Sequence, residues 1–201
     1  MNHKERMLNG LPYLANEDGL FEERQRAKVL CHKFNNCDPL DVEKREEYLK
    51  ELLPNASNKI YIEPPFRCDY GSNMYIGDGF YANYNLTVLD CAKVIIGDNV
   101  LIGPNVCITT AGHPIHYISR RRYEYADEIS IGNNVWIGAN VVVNPGVKIG
   151  DNCVIGSGSV VTKDIESNTV AVGNPCRVLR KITDDDRKYY YKDREFDIED
   201  Y

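Results

Sequence analysis

Two features of this chain have residue types suited to chemistry, and the first is a histidine in a segment with glycine and proline. His113 stands in TAGHPIHY (residues 110–117), which also holds His116. A loop histidine has an ordinary pKa of about 6.5, so it suits general-base work near neutral pH. Taken alone, such a histidine is more often a plain surface residue, and the surrounding pattern must decide.

The second feature is a basic cluster of Lys163, Arg177, Arg180 and Lys181. Lysine suits phosphate as a point charge and arginine as a planar fork, although a solvated basic face fits these residues equally well. The net charge of −6 argues against nucleic acid as a partner, because phosphate-backbone binding needs a basic footprint. A local cluster is enough for a small anionic cofactor. No glycine-rich loop of the P-loop type is present, which argues against a nucleoside triphosphate.

A six-residue repeat must position both features. Between residues 76 and 165 an apolar residue recurs every six positions, usually followed by glycine, asparagine or aspartate. These first positions are Ile76, Ala82, Val88, Ile96, Ile102, Ile108, Ile131, Ile137, Val143, Ile149, Ile155 and Val161. A second apolar residue follows four positions later in most frames. The frame slips by two residues before Ile96 and breaks for about twenty before Ile131.

A period of six fits neither the 3.6 residues of a helical turn nor the alternation of a strand. It fits short strands joined by tight turns, with glycine or asparagine at the sharp bends. A fixed short period is typical of a solenoid, in which each coil buries its face by stacking on the next. The predicted fold class is therefore an all-β solenoid.

The rest of the chain divides around this repeat. Residues 1–55 are predicted to form a helical segment, in which Asp41 could cap the second helix and Pro54 ends it. Residues 56–175 form the solenoid, with an extended active-site loop inserted at about 109–130. Residues 176–201 form a charged, tyrosine-rich tail.

Composition indicates a cytoplasmic protein. The seven cysteines are odd in number and scattered, without a CxxC pair, so we expect reduced thiols and no metal site. No run of eighteen apolar residues exists, so no membrane partner is expected. The amino terminus lacks an apolar signal core, which argues against secretion.

The sequence resembles the galactoside and maltose O-acetyltransferases of the hexapeptide-repeat acyltransferase family. The matching motifs are EPPF (63–66), FYANYN (80–85), GHP (112–114), NVWIG (134–138), NPGV (144–147), GSVVTKD (158–164) and GNPCRV (173–178). The resemblance implies a left-handed parallel β-helix with three hexads per coil, hence about four coils. It also implies transfer of acetyl from acetyl-CoA to a sugar hydroxyl in a ternary complex, by a homotrimer whose active sites lie between subunits.

The resemblance also assigns roles to individual residues. His113 matches the catalytic base, Asn83 a residue that holds the acceptor hydroxyl and steadies the tetrahedral intermediate, and the Ala139 backbone N–H the donor to the thioester oxygen. Asn83 also fits a plain left-handed turn asparagine, the simpler reading of the sequence. The positions that match coenzyme A contacts are Trp136, Ala139, Ser157, Thr162, Lys163, Arg177 and Arg180.

The acceptor side departs from the family pattern. The positions that match acceptor contacts are Asp69, Asn83, Asp90, Cys91 and Tyr125. Three of them differ: a serine is replaced by Asp69, an aspartate by Cys91 beside Asp90, and a methionine by Tyr125. A fourth family aspartate falls on Ala15, with Asp18 nearby as a substitute. These changes leave the acceptor sugar open among galactosides, maltose, glucose and other alcohols.

Three alternatives remain. A zinc hydrase like the γ-class carbonic anhydrases needs three coil histidines, but the repeat region holds only His113 and His116. A non-catalytic hexapeptide scaffold would have no reason to combine His113, Asn83, Trp136 and Lys163. An acyltransferase with an amine or a non-sugar alcohol as acceptor is not separated from a sugar enzyme by the sequence.

Overall fold

The computed structural model describes residues 1–198. The helices are α1 (His3–Leu8), α2 (Leu20–Asn35), α3 (Val42–Leu52), α4 (Tyr117–Arg120) and a 3-10 helix (Asp184–Lys188). The strands are β1 (Ile60–Ile62), β2 (Arg67–Cys68), β3 (Met74–Ile76), β4 (Phe80–Ala82), β5 (Thr87–Leu89), β6 (Val94–Ile96), β7 (Leu101–Ile102), β8 (Cys107–Thr109), β9 (Ala111–Gly112), β10 (Tyr125–Ala126), β11 (Ile129–Ile131), β12 (Trp136–Ile137), β13 (Val142–Val143), β14 (Lys148–Ile149), β15 (Val154–Ile155), β16 (Val160–Val161), β17 (Thr169–Val172), β18 (Arg177–Lys181), β19 (Tyr189–Tyr191) and β20 (Arg194–Glu195).

Three parallel sheets form the faces of a prism. The first face has the strand order β1-β4-β7-β12-β15-β17, the second β2-β5-β8-β13-β16 and the third β3-β6-β11-β14. The chain visits the faces in that order in every coil. We call the edge between the first and second faces the first corner, that between the second and third faces the second corner, and the remaining edge the third corner.

The repeat positions form the core of the prism. All twelve first positions of the hexads are buried, and none exceeds 5% exposure. The second apolar positions, among them Phe80, Leu86, Val135 and Cys153, are at most 5% exposed as well. Burial of these stacked apolar rows is the main stabilising term available to so regular a structure. The predicted β-solenoid is confirmed.

Asparagines at the corners stabilise the tight turns. Asn99, Asn134, Asn152 and Asn168 all have positive φ and occupy one corner in successive coils. Their side-chain amides form a ladder, with N–O distances of 3.3, 3.0 and 2.8 Å between neighbours. Asparagine tolerates the left-handed region better than other non-glycine residues, which explains its recurrence at the repeat corners.

The solenoid is longer than the repeat indicates. It has about six turns, rather than the four counted from the clear hexads. Residues 60–68, which precede the clear hexads, form β1 and β2 of a first coil, and β17 adds a strand at the other end. Pro64 and Pro65 between β1 and β2 obscure the hexad in the first coil.

The helical segment packs at the amino-terminal end of the prism. Helices α2 and α3 contribute Leu30, Phe34, Leu49 and Leu52 to the same buried cluster as the coils. The Asp41 carboxylate accepts a hydrogen bond from the Lys44 backbone N–H at 3.1 Å, so the predicted cap is confirmed. At the other end, β18 pairs antiparallel with β17, and the segment after it is largely exposed as far as residue 198.

Two glycines provide a matched test of the packing between helices and coil. Gly71 and Gly158 have φ of +73° and +74°. A Cβ at Gly71 would collide with the Leu52 carbonyl oxygen at the end of α3, whereas one at Gly158 meets nothing within 4 Å. We predict that Gly158→Ala costs about 1–2 kcal/mol from left-handed strain alone, and that Gly71→Ala costs about 1–3 kcal/mol more through overpacking. Denaturant unfolding measures both, and equal losses would contradict this packing.

Candidate active site

The second corner is the irregular corner of the prism. In the first two coils residues 69–73 and 90–93 connect the second face to the third, and in the next coil residues 110–128 do so. Counted between core residues in register, this step is eight residues in the first two coils (Cys68 to Ile76 and Val88 to Ile96) and twenty-three in the next (Ile108 to Ile131). In the following coil it is only six, from Val143 to Ile149. The three long connections stack on one another. Together with the amino-terminal segment they enclose a cavity of about 330 Å³, which we call the His113 cavity.

The His113 cavity is lined by Ala15, Asn16, Arg24, Asp69, Leu89, Cys91, Ala111, His113 and Glu124. A short hairpin fixes the position of the histidine, because β9 pairs antiparallel with β10 and His113 follows β9 directly. The ring of Tyr125 lies against Gly112, where an added Cβ would come within 2.5 Å of the ring. Tyr125 is therefore placed as a support for the histidine backbone and does not line the cavity.

Two charged lining residues, Arg24 and Glu124, were not predicted from the sequence. The Arg24 guanidinium donates to the Ala15 carbonyl at 2.5 Å, the Tyr70 hydroxyl at 3.0 Å and Asn16 Oδ1 at 2.7 Å. Glu124 accepts from the Tyr13 hydroxyl at 3.0 Å, a contact across 111 residues of sequence. No local pattern identifies either residue, because each reaches the cavity only through tertiary packing.

Asp69 and Cys91 lie together in the cavity wall. The Cys91 thiol donates to Asp69 Oδ2 at 3.4 Å. Burial raises the pKa of Asp69, an effect opposed by the bond from Cys91 and by the nearby Arg24 charge. Burial also raises the pKa of Cys91 well above its usual range, so this thiol is neutral and not a nucleophile. Both predicted acceptor positions thus line the cavity with hydrogen-bonding groups.

Asp90, the neighbouring candidate, does not line the cavity. Its side chain is fully buried and accepts backbone N–H bonds from Asp69 at 3.0 Å, Tyr70 at 2.8 Å and Asn73 at 3.3 Å. Burial raises its pKa to about 7, opposed by the N–H donors of Tyr70 and Asn73. The structure therefore makes Asp90 the internal support of residues 69–73.

The proposed substitution of Asp18 for the missing aspartate is not supported by its position. Asp18 accepts the His3 backbone N–H at 2.5 Å at the start of α1 and is absent from the cavity lining. Ala15, which falls on the family aspartate, is itself in the lining. The site therefore has a methyl group where the family pattern has a carboxylate.

Asn83 occupies the first corner, not the second. It follows β4 on the first face, and its backbone is not left-handed, because Asn85 holds that conformation instead. The left-handed conformation considered for Asn83 is therefore wrong. Its amide oxygen accepts the Tyr84 backbone N–H at 2.8 Å.

Three predicted coenzyme A positions share the first face and corner with Asn83. Trp136 points outward from the first face and is 54% exposed. Ala139 and Ser157 follow β12 and β15, the strands stacked in register with β4 through β7. The Ala139 N–H donates to Ser157 Oγ at 3.1 Å. An incoming ligand oxygen would share or replace this acceptor.

The remaining cofactor candidates lie towards the end of the solenoid. Thr162 and Lys163 follow β16 at the second corner, and the Lys163 amine makes no ion pair within residues 1–198. Arg180 instead binds the Asp186 carboxylate with two nitrogens, at 2.8 and 2.7 Å. Arg177 donates to the Cys176 carbonyl at 2.7 Å. Lys163 is thus open to a ligand, whereas Arg180 is already paired.

A single chain does not bring the predicted residues to one place. His113, Asp69, Thr162 and Lys163 belong to the second corner, whereas Asn83 belongs to the first. The second face lies between these corners, and a repeat of about six residues spans it, so the corners are roughly 15 Å apart. That distance is far beyond hydrogen-bond reach, so within one chain the predicted site residues form two separate groups.

Two kinds of functional feature are not seen in the described part of the chain. Within residues 1–198 no group of three or more His, Cys, Asp or Glu side chains is arranged to hold a metal ion. No helix among the same residues has the length and apolar character to cross a bilayer. His116, the second histidine of the loop, stacks on Tyr117 at 4.9 Å between ring centroids.

Comparison with known proteins identifies the family. The maltose acetyltransferase hexapeptide capping motif matches residues 6–56, the bacterial transferase hexapeptide (six repeats) matches residues 128–163, and the hexapeptide repeat of succinyl-transferase matches residues 93–115. Galactoside O-acetyltransferase of Escherichia coli (strain K12) is 55% identical over 177 residues, covering 88% of this chain and 87% of its own. The chain belongs to the hexapeptide-repeat acetyltransferase family of galactoside and maltose O-acetyltransferases.

Solved structures of the family agree with this fold. A galactoside acetyltransferase in complex with coenzyme A has a TM-score of 0.96 at 50% identity, covering 98% of this chain and 100% of that chain. A maltose O-acetyltransferase from Clostridium difficile 630 has a TM-score of 0.90 at 51% identity, covering 92% of this chain and 99% of that chain. The family resemblance predicted from the motifs is confirmed.

The buried Asp90 of this acetyltransferase gives a prediction about pH. Its pKa is about 7 in the fold and about 3.9 in an unfolded chain, so between these values the native state holds a proton that the unfolded state lacks. Rising pH in that window therefore lowers the free energy of unfolding, by an amount on the order of a few kcal/mol. The Asp90→Asn variant has no proton to lose at this position, and we predict that the wild type loses stability relative to it between about pH 4 and pH 7.

Chemical unfolding at several pH values measures this difference. The other titratable groups, including Asp69, are common to both proteins, so the difference isolates Asp90. Parallel stability curves for the two proteins would contradict the raised pKa. A loss of stability in the Asp90→Asn variant that is the same at every pH would reflect only altered hydrogen bonds to residues 69–73.

Proposed function

We propose that this protein transfers acetyl from acetyl-CoA to a hydroxyl of a sugar. The observation that carries the proposal is His113 in the wall of a small cavity lined by carboxylate, guanidinium and amide groups. Such groups bind hydroxyls by hydrogen bonds, which is what a sugar acceptor offers. The named relatives, galactoside and maltose O-acetyltransferases, support the same conclusion.

His113 acts as the general base in a direct transfer. Its neutral imidazole takes the proton of the acceptor hydroxyl as the oxygen attacks the thioester carbonyl. When the carbon–sulfur bond then breaks, the imidazolium returns this proton to the sulfur, so coenzyme A leaves as the thiol and His113 is neutral again. The Ala139 backbone N–H donates to the developing oxyanion, and Asn83 holds the acceptor oxygen. The neutral Cys91 thiol takes no covalent part, so acetyl passes straight from cofactor to acceptor.

The complete site forms between two chains of a homotrimer. One chain supplies the second corner, with His113, Asp69 and Lys163, and its neighbour supplies the first corner, with Asn83 and Ala139. The exposed apolar side chains of the first face support such packing: Tyr61 is 45%, Leu101 49% and Trp136 54% exposed. Closed threefold symmetry produces three equal sites from one kind of contact.

Coenzyme A runs along the groove between the two chains. Trp136, Ala139 and Ser157 contact it from one chain, and Thr162 and Lys163 from the other. Arg177 and Arg180 lie near the phosphate end, where Arg180 exchanges its Asp186 partner for a phosphate oxygen. All seven cysteines are free thiols, which supports a reducing, cytoplasmic location for this chemistry.

Replacement of His113 tests the function. We predict that His113→Ala lowers kcat for acetyl transfer by about two to four orders of magnitude, because the weak hydroxyl nucleophile loses its base. The dissociation constant for coenzyme A should change little, since the cofactor contacts lie elsewhere. A thiol-release assay with a sugar panel gives the rate, and calorimetry gives the affinity.

The matched control is His116→Ala, a second histidine of the same loop that does not line the cavity. It should keep near-normal turnover. Similar losses in both variants would point to damage of the loop, and near-full turnover without His113 would remove it from the mechanism. A wild-type protein that acetylates no hydroxyl acceptor would contradict the proposed function itself.

A further inference from the structure

A second cavity adjoins the His113 cavity. It has a volume of about 680 Å³ and lies between helix α2 and the second face, and we call it the outer cavity. Its lining residues are Lys28, Cys31, His32, Asn35, Asn36, Pro65, Arg67, Cys68, Asp69, Thr87 and Leu89. Asp69 and Leu89 line both cavities, so the two spaces meet at these residues. A ligand longer than one sugar can therefore extend from His113 into the outer cavity.

The outer cavity is basic. Lys28 and Arg67 are exposed in its wall, and neither forms an ion pair within residues 1–198. His32 adds a third group that can carry positive charge. Among the described residues, Asp69 is the single carboxylate in the lining, and it sits at the boundary with the His113 cavity.

Short side chains that are held in place by packing and hydrogen bonds form the floor of the outer cavity. Cys31 and Cys68 are 6% and 7% exposed, with their sulfur atoms 3.8 Å apart. Asn35 is fully engaged with Phe66, since its amide donates to the Phe66 carbonyl at 2.9 Å and accepts the Phe66 N–H at 2.8 Å. These contacts hold α2 against the first coil, so the space is preformed and Lys28 and Arg67 are left to meet a ligand.

We propose that the outer cavity binds the second unit of the acceptor and that this unit is anionic. The inference rests on the proposed function: the acetylated sugar lies beside His113, and a carboxylate or phosphate on the attached unit pairs with Arg67 and Lys28. Arginine recognises both anions through two parallel N–H donors, and lysine adds a point charge. The acceptor is therefore an acidic disaccharide or a glycoside with an acidic aglycone. Arg67 and Lys28 determine the specificity for this anionic unit.

A matched set of glycosides tests the proposal on the intact enzyme. Phenyl β-galactoside, 4-carboxyphenyl β-galactoside and 4-phosphophenyl β-galactoside share the sugar and differ only in the charge of the aglycone. We expect the wild type to show a KM about three- to tenfold lower for an anionic member than for the neutral one. The advantage should shrink at high salt, because exposed charge pairs are screened. Which anionic member has the lower KM distinguishes carboxylate from phosphate.

Substitutions locate the effect. Arg67→Gln and Lys28→Gln should each raise the KM for the anionic glycosides toward that of the neutral glycoside, while kinetics with the neutral glycoside stay unchanged. Lys33→Gln is the matched control, because Lys33 lies on the same helix and does not line the outer cavity. Its kinetics with all three glycosides should equal those of the wild type.

Two results would overturn the inference. One is a wild-type enzyme that acetylates the neutral glycoside as readily as the anionic ones at low salt. The other is a variant at Arg67 or Lys28 that raises the KM for neutral and anionic glycosides equally, which indicates structural damage and not charge recognition. Either result leaves the proposed function standing, because the neutral glycoside is still acetylated. Failure with all hydroxyl acceptors would instead contradict that function.

Discussion

Parallel hydrogen bonding between successive coils is the constraint on which the rest of this structure depends. Each strand pairs in register with the strand one coil away, as Ala82 does with Ile102 and Ile137 with Ile155. Coils stack about 4.8 Å apart. Residues that occupy the same hexad position therefore form a straight column along one corner, however far apart they are in sequence. The two groups of predicted site residues lie along two different corners.

The candidate active site lies at the corner where the regular repeat is interrupted. A solenoid accepts extra residues only at its corners, because residues within a face must keep pairing with both neighbouring coils. Three consecutive coils carry their extra residues at the same corner, and the stacked insertions enclose the His113 cavity. This irregularity has a cost, since residues 69–73 need the buried Asp90 carboxylate to satisfy their backbone N–H groups.

The sequence predicts the regular part of the molecule well, for a physical reason. A burial period of six is visible in the chain because each first position must be apolar, and the two-residue slip before Ile96 falls at the corner that later proves irregular. The terminal coils were missed, since prolines interrupt the hexad of one and the other lies beyond the clear repeats. Of the site, His113 was found through a motif, and Asp69 and Cys91 as positions that match acceptor contacts of the family; all three line one cavity.

Long-range packing explains what the sequence does not predict. Arg24 and Glu124 reach the His113 cavity from α2 and from the end of the inserted loop, and no local spacing connects them. Asp90 and Cys91 are adjacent in sequence, but the backbone at this corner places only Cys91 in the cavity lining. The sequence therefore does not show which of the two is the buried support and which lines the cavity. The two guanidinium nitrogens of Arg180 that could bind a phosphate donate to the Asp186 carboxylate instead. This pairing depends on how the tail folds back on β18, which the sequence does not show.

The central claim is that His113 and Asn83 of one working site belong to different chains. The most direct measurement mixes His113→Ala and Asn83→Ala, each nearly inactive alone, after subunit exchange confirmed by mass spectrometry. A site between subunits is intact wherever a chain that keeps His113 meets a neighbour that keeps Asn83. Random threefold assembly of equal amounts then restores roughly a quarter of wild-type activity. Mixed assemblies that regain no activity would contradict the account, because a site within one chain stays broken in every combination.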